Sequence, residues 1–227
     1  MYSLFNNIKV AGMAAAVPKH QVDNLDFCNI FPEKEVRKQI KVSGIQKRHV
    51  LDKQCGQTLM DLNLAAVNGL LSRLKWDPQE LEFVIYVSAY VYQAIPSTAY
   101  YIMDHIGASE KCMGFDINLG CVAFVNGLYM AASFLEKCEE GTKGIIVVSD
   151  STTEGGNGYD RALSMLPGDS GTVTAVINQK GCRLPFLQCF DGSRYEAAAA
   201  LPRPRVFRAS TDQTPAPPAG PGRCRDG

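Results

Sequence analysis

Asp116-Ile-Asn-Leu-Gly-Cys121-Val-Ala-Phe124 is the stretch on which the reading of this chain turns. Phe115 to Ile117 reads as the end of a buried strand. From Cys121 to Cys138, Val122, Val125, Leu128, Tyr129, Ala132 and Leu135 recur at helical spacing, which predicts a long apolar helix after the strand. Cys121 is then expected to open that helix. A thiol there would meet unpaired amide groups and the positive end of the helix dipole, which lower its pKa below the free value of roughly 8.5. Gly120 would allow a tight turn. A structural cysteine fits the same pattern, because free cysteine is among the most buried residue types. On these residues alone, nucleophile and buried thiol both stand.

Outward from this point the chain alternates strand and helix. A strand is predicted near Ile8–Ala16, helices near Asn24–Cys28 and Glu33–Val42, and a further helix over Thr58–Leu74. Phe83 to Ser88 is a continuous apolar run of the buried-sheet kind. A helix over Ser97–His105, the strand at Phe115, the Cys121 helix and strands at Gly144–Ser149 and Thr172–Asn178 complete the set. Strands separated by helices of this length imply an α/β fold, with a mixed, mostly parallel sheet covered by helices on both faces.

Composition narrows the function. The chain has 227 residues, is 46% hydrophobic and 20% charged, and carries no formal net charge, as expected of a globular protein. Lys and Arg are scattered and form no basic run interleaved with aromatics, which argues against a nucleic-acid partner. The apolar run Ile8–Val17 follows Asn6 and Asn7 with no basic leader, so a core strand is expected there and not a signal peptide. No membrane association and a cytoplasmic location are expected. The eight cysteines include no Cys-x-x-Cys pair, so no metal site is expected, and those other than Cys121 are read as reduced, mostly buried thiols. His20 and His105 are unclustered and read as structural.

Four segments in order resemble one family, the β-ketoacyl-acyl carrier protein synthase III group of thiolase-like condensing enzymes. The Cys121 stretch resembles its nucleophile motif. Gly44-Ile-Gln-Lys-Arg48-His49 resembles its Gly-Ile-x-x-Arg-Arg/His segment, and Ile95-Pro-Ser-Thr-Ala99 with Ile106-Gly107 resembles its Pro-x-x-Ala…Leu-Gly helix. Tyr159-Asp-Arg161 followed by Leu166-Pro-Gly168-Asp169-Ser-Gly171-Thr resembles its Asp-Arg…Phe-Gly-Asp-Gly-Ala turn.

The resemblance implies a thiolase-like fold of two pseudo-symmetric halves, of which this chain is expected to supply the first, with the C-terminal half missing. The Cys121 helix would be one of the shared central helices, apolar on nearly every side and in need of a partner half. The resemblance makes Cys121 the nucleophile that accepts an acyl group from a thioester, before decarboxylative Claisen condensation with a malonyl thioester in fatty acid or polyketide-type biosynthesis. It sets Arg161 near the coenzyme A entrance and Ile95 across a dimer interface at the partner's acyl pocket, and adds Arg48 as a substrate-binding candidate. No cofactor is implied. The implied partners are an acyl carrier protein, with acyl-coenzyme A as an alternative donor, and a second copy in a homodimer. Lys38 and Val42 stand where well-known members have the adenine-stacking aromatic and an arginine, which points to a donor delivered by a carrier protein.

The family's His and Asn belong to the second half, so condensation by this chain alone is not expected. The alternative readings are a non-catalytic partner subunit of a heterodimer and a truncated gene product. Residues 1–180 are expected to form the thiolase-like half and 181–192 to begin a connection. Residues 193–227 hold six Pro, seven Ala, six Arg and no Lys, against twelve Lys and five Arg before them. That switch reads as a disordered or out-of-frame tail, or as a genuine linker.

Overall fold

Strand β4 (Leu81–Ser88) lies at the centre of the sheet, and every residue in it except Glu82 is buried. Period-two alternation sends its side chains to opposite layers. Phe83, Ile85 and Val87 pack with Ala123, Ala131, Ala132 and Leu135 of helix α4 (Ala123–Leu135). Val84 and Tyr86 pack with Ala66, Val67, Leu70 and Leu71 of α2 (Leu59–Leu74) and with Ala99, Ile102 and Met103 of α3 (Thr98–Ile106). Two cores, one on each face, follow from this single strand. The computed structural model describes residues 2–52, 55–89, 95–120, 122–151 and 164–187, and Tyr2–Leu187 forms one compact unit.

The five-stranded sheet has the order β1–β7–β6–β4–β5, with β1 at Tyr2–Ala16, β5 at Met113–Asn118, β6 at Lys143–Asp150 and β7 at Ser170–Leu187. β4 pairs parallel with β5 and β6, while β7 is antiparallel to both β6 and β1. Four strands therefore run one way and β7 opposes them, so the mostly parallel expectation holds. β4–α3–β5 and β5–α4–β6 are helical crossovers on opposite faces of the sheet. In β1 the register shifts after Asn6 and again after Val10. Asn7, with φ of 60°, takes the left-handed conformation that asparagine tolerates. These shifts turn Phe5 and Ile8 toward α4 but Ala11, Ala14 and Ala16 toward the other core.

Local chemistry explains most helix ends. Thr58 caps α2 in a reciprocal capping box with Asp61. Gly44 and Gly107, at φ of 75° and 69°, close α1 (Glu33–Ser43) and α3. The last turn of α4 is capped from a distance: the Asn178 side chain on β7 donates to the carbonyls of Leu135 (2.8 Å) and Cys138 (3.0 Å).

The helix expected near Asn24–Cys28 is present as a 3-10 helix over Asn24–Asn29, capped by the Asp23 carboxylate. A second, two-stranded sheet pairs β2 (Gln21–Asp23) with β3 (Lys47–His49). Strands of three residues are too short to show periodicity.

Candidate active site

Because β4, β5 and β6 are parallel, their carboxyl ends, Ser88, Asn118 and Asp150, lie along one edge of the sheet. In open α/β sheets this is where ligands collect. β5 leaves this edge through Leu119 and Gly120, and the chain turns at once, with the Ala123 amide donating to the Gly120 carbonyl at 2.8 Å. Cys121 lies inside this turn in sequence but outside the described residues. Among the described residues the helix begins at Ala123, with Val122 as its N-cap, and the expectation that Cys121 opens it falls on a residue outside them. The apolar character expected of the helix is present. Val122, Val125 and Met130 are exposed, and a groove of about 370 Å³ beside Phe124 is lined by Met13, Ala14, Ala15, Val148, Thr172 and Thr174.

Behind this edge sits a polar group of residues that sequence reading did not assemble. The Tyr86 hydroxyl and Ser149 Oγ are 2.9 Å apart. Burial pushes the Tyr86 hydroxyl pKa up, hydrogen bonds to Ser149 and Ser88 oppose that shift, and the charges of Asp150 and Asp116 add to it. The phenol thus stays neutral. Asp150 Oδ1 accepts from Ser88 Oγ and from the Ala89 amide, both at 2.8 Å. Asp116 accepts from the Thr98 amide at 2.7 Å and from the Ala99 amide at 2.9 Å, so the first turn of α3 is capped by a carboxylate from β5. Ile95, 86% exposed, lies just before that turn.

Arg48 belongs to a different cluster. It is buried on β3, where Nε donates to Asn24 Oδ1 at 2.8 Å, Nη1 to the Pro167 carbonyl at 2.9 Å, and the guanidinium lies over the Phe27 ring. Burial lowers its pKa, and the nearby Asp169 charge partly offsets the shift. Asn24 in turn donates to the carbonyls of Ile45 and Met165, and Asp169 accepts from the Leu51 amide at 2.7 Å. His49 Nδ1 lies 2.6 Å from the Pro18 carbonyl, which can only accept, so Nδ1 carries the proton and Nε2 accepts from the Gln21 amide. Arg48 thus ties the segment before β7 to the small sheet. Arg161 lies outside the described residues.

The remaining described thiols make poor nucleophiles where a shift is defined. Burial pushes Cys112 up to about 11 and also raises Cys138, while a hydrogen bond to Asp52 raises Cys55. Among the described residues no group of three or more His, Cys, Asp or Glu could hold a metal, and no helix is long and apolar enough to cross a membrane.

The profile of the 3-oxoacyl-[acyl-carrier-protein (ACP)] synthase III family matches residues 115–190, the span that contains the β5–α4 turn, Cys121 and Arg161. The chain is similar to that family over those residues. A putative 3-oxoacyl-[acyl-carrier-protein] synthase 3 of Campylobacter jejuni is 29% identical over 139 residues, 60% of this chain and 39% of that protein. A β-ketoacyl-[acyl-carrier-protein] synthase III of Streptococcus pneumoniae is 27% identical over 83% of this chain and 56% of its own length. The chain therefore spans roughly 39% to 56% of these relatives. In fold it is similar to a 3-oxoacyl-(acyl-carrier protein) synthase of Burkholderia xenovorans, with a TM-score of 0.75 at 24% identity over 88% of this chain and 62% of that one. OleA of Xanthomonas campestris is also similar, with a TM-score of 0.63 at 22% identity over 77% of this chain and 56% of that one. Both likenesses establish a thiolase-like α/β fold.

Proposed function

We propose that this synthase III-like chain carries the acyl-loading half of a 3-oxoacyl-acyl carrier protein synthase, with Cys121 as the nucleophile. The observation that carries the reading is the match over residues 115–190 falling on a strand-to-helix turn at the carboxyl edge of the parallel strands. In the loading step the Cys121 thiolate attacks the carbonyl carbon of an acyl thioester. A tetrahedral oxyanion forms, is stabilised by backbone amides at the turn, and collapses with loss of the donor thiolate, which takes up the proton that Cys121 gave up. An acyl carrier protein is the preferred donor, with acyl-coenzyme A as the alternative, and Lys38 and Val42 in place of the adenine-binding pair support that order. Condensation with a malonyl thioester, in fatty acid or polyketide-type synthesis, needs a His and an Asn that the resemblance places in a second half. Loading is therefore the step assigned to these residues. Arg161 at the donor entrance and Ile95 at the acyl pocket of a homodimer complete the reading.

The test is intact mass spectrometry of the full chain after incubation with acyl-coenzyme A and acyl-carrier-protein donors. One thioester-linked acyl group per chain is expected, and Cys121→Ser should abolish it. Absence of an adduct with every donor refutes the assignment. The raised pKa values of Cys55, Cys112 and Cys138 make competing adducts at those sites slow.

A further inference from the structure

On α1, Lys34, Arg37, Lys38 and Lys41 recur at i, i+3, i+4 and i+7, the spacing that places side chains on one face of a helix. Along the chain Glu35 and Val36 interrupt them, but on the helix they form one stripe about 10 Å long. All four are exposed. The opposite face carries fully buried Val36 and half-buried Ile40, and the helix packs on the 3-10 helix Asn24–Asn29. Arg37 pairs with Glu33 at 2.7 Å, an exposed contact of the weak i,i+4 kind that a partner's carboxylate can replace. Among the described residues Lys34, Lys38 and Lys41 take part in no ion pair. Beside the stripe runs a groove of about 390 Å³, lined by Arg37, Ile40 and Lys41 of α1 and by Asp23, Leu25 and Gln46.

We propose that this stripe and groove dock an acidic helix of a protein partner, with its carboxylates on the four cations and one apolar side chain against Leu25 and Ile40. The choice of partner rests on the acyl-loading reading above, in which an acyl carrier protein presents the donor. Charge complementarity selects the class. Glu33 and Glu35 flank the stripe and Asp23 lines the groove, so negative charge is accepted only in a band one helix wide. A phosphate backbone, negative along its whole length, meets these acids on both sides. A bilayer is disfavoured for another reason: an interfacial helix turns its apolar face to lipid, and that face of α1 is covered by the protein itself.

The test is binding of the full-length chain to fluorescently labelled acyl carrier protein, read by anisotropy. Lys38→Glu and Lys41→Glu should each weaken it about ten-fold, mainly by slowing association, and Leu25→Glu should weaken it through the groove. Lys38→Gln and Lys41→Gln, which keep helix propensity, should give smaller losses in the same direction. Lys9→Glu, at an exposed cation on β1, should leave binding unchanged. Raising salt from about 50 to about 500 mM should erase most of the difference between wild type and the lysine variants. Stripe variants that bind like wild type overturn the proposal, as does an equal loss in Lys9→Glu. Binding confined to vesicles of anionic lipid or to duplex DNA in the same assay overturns it too. The loading reading fails separately: a wild type that takes up no acyl group yet binds the carrier protein through the stripe loses that reading and keeps this one. Loading from the carrier protein that ignores the stripe variants sinks this proposal alone.

Discussion

Arg48→Met is the substitution that separates a structural arginine from one that binds substrate. Methionine keeps the length and apolar stem but leaves Asn24 Oδ1 and the Pro167 carbonyl without their donor. Each orphaned acceptor costs about 1–3 kcal/mol, and loss of the guanidinium over Phe27 removes a further contribution of about 0.5–2 kcal/mol. The opposing term is the desolvation that lowers the Arg48 pKa, which methionine relieves by an amount comparable to one of these losses. The net expectation is a loss of about 2–4 kcal/mol, a large fraction of the 5–15 kcal/mol typical of a domain. Urea titration followed by circular dichroism reads it as a lower midpoint with an unchanged slope. Arg48→Lys should recover only part of the loss, because a point charge cannot span both acceptors. A Met variant within about 1 kcal/mol of wild type but defective in acyl loading would refute the structural role and restore Arg48 as a substrate contact.

Asn178→Ala removes both side-chain bonds that close the last turn of α4 and should cost about 1–3 kcal/mol in the same titration, with amide exchange rising at the end of α4. A loss below about 0.5 kcal/mol would show that solvent caps the turn equally well. Cys112 holds its proton up to about 11 in the folded chain, so the unfolded chain ionises first. Its stabilising contribution is complete below the ordinary thiol pKa and lost as pH rises from there through about 11. Cys112→Ala should flatten that alkaline decline relative to wild type, and parallel curves would refute the assignment.

Sequence periodicity located the long elements. The helix expected over Thr58–Leu74, the unbroken Phe83–Ser88 run, and the switch from strand to helix spacing after Ile117 are all local readings, and the structure carries an element at each. β2 and β3 were illegible because each is a three-residue strand whose pairing spans Gln21 to His49, so no local repeat records it. Arg48 is a similar case: its neighbours could be quoted as a motif, but its partners at Asn24 and Pro167 are 24 and 119 residues away.

The resemblance of the Cys121 stretch to a nucleophile motif, and the α/β class, were determined by the sequence alone, since the first rests on residue order within a dozen positions and the second on strand and helix signals that alternate along the chain. Tertiary structure decided three further points. It set the direction of β7, it started α4 at Ala123, and it turned Asp116 and Asp150 from two anonymous strand-end acids into acceptors for the amides of Thr98, Ala99 and Ala89. The physical reason is that a hydrogen bond between chain-distant groups depends on sheet order and register, and neither is written in any one segment.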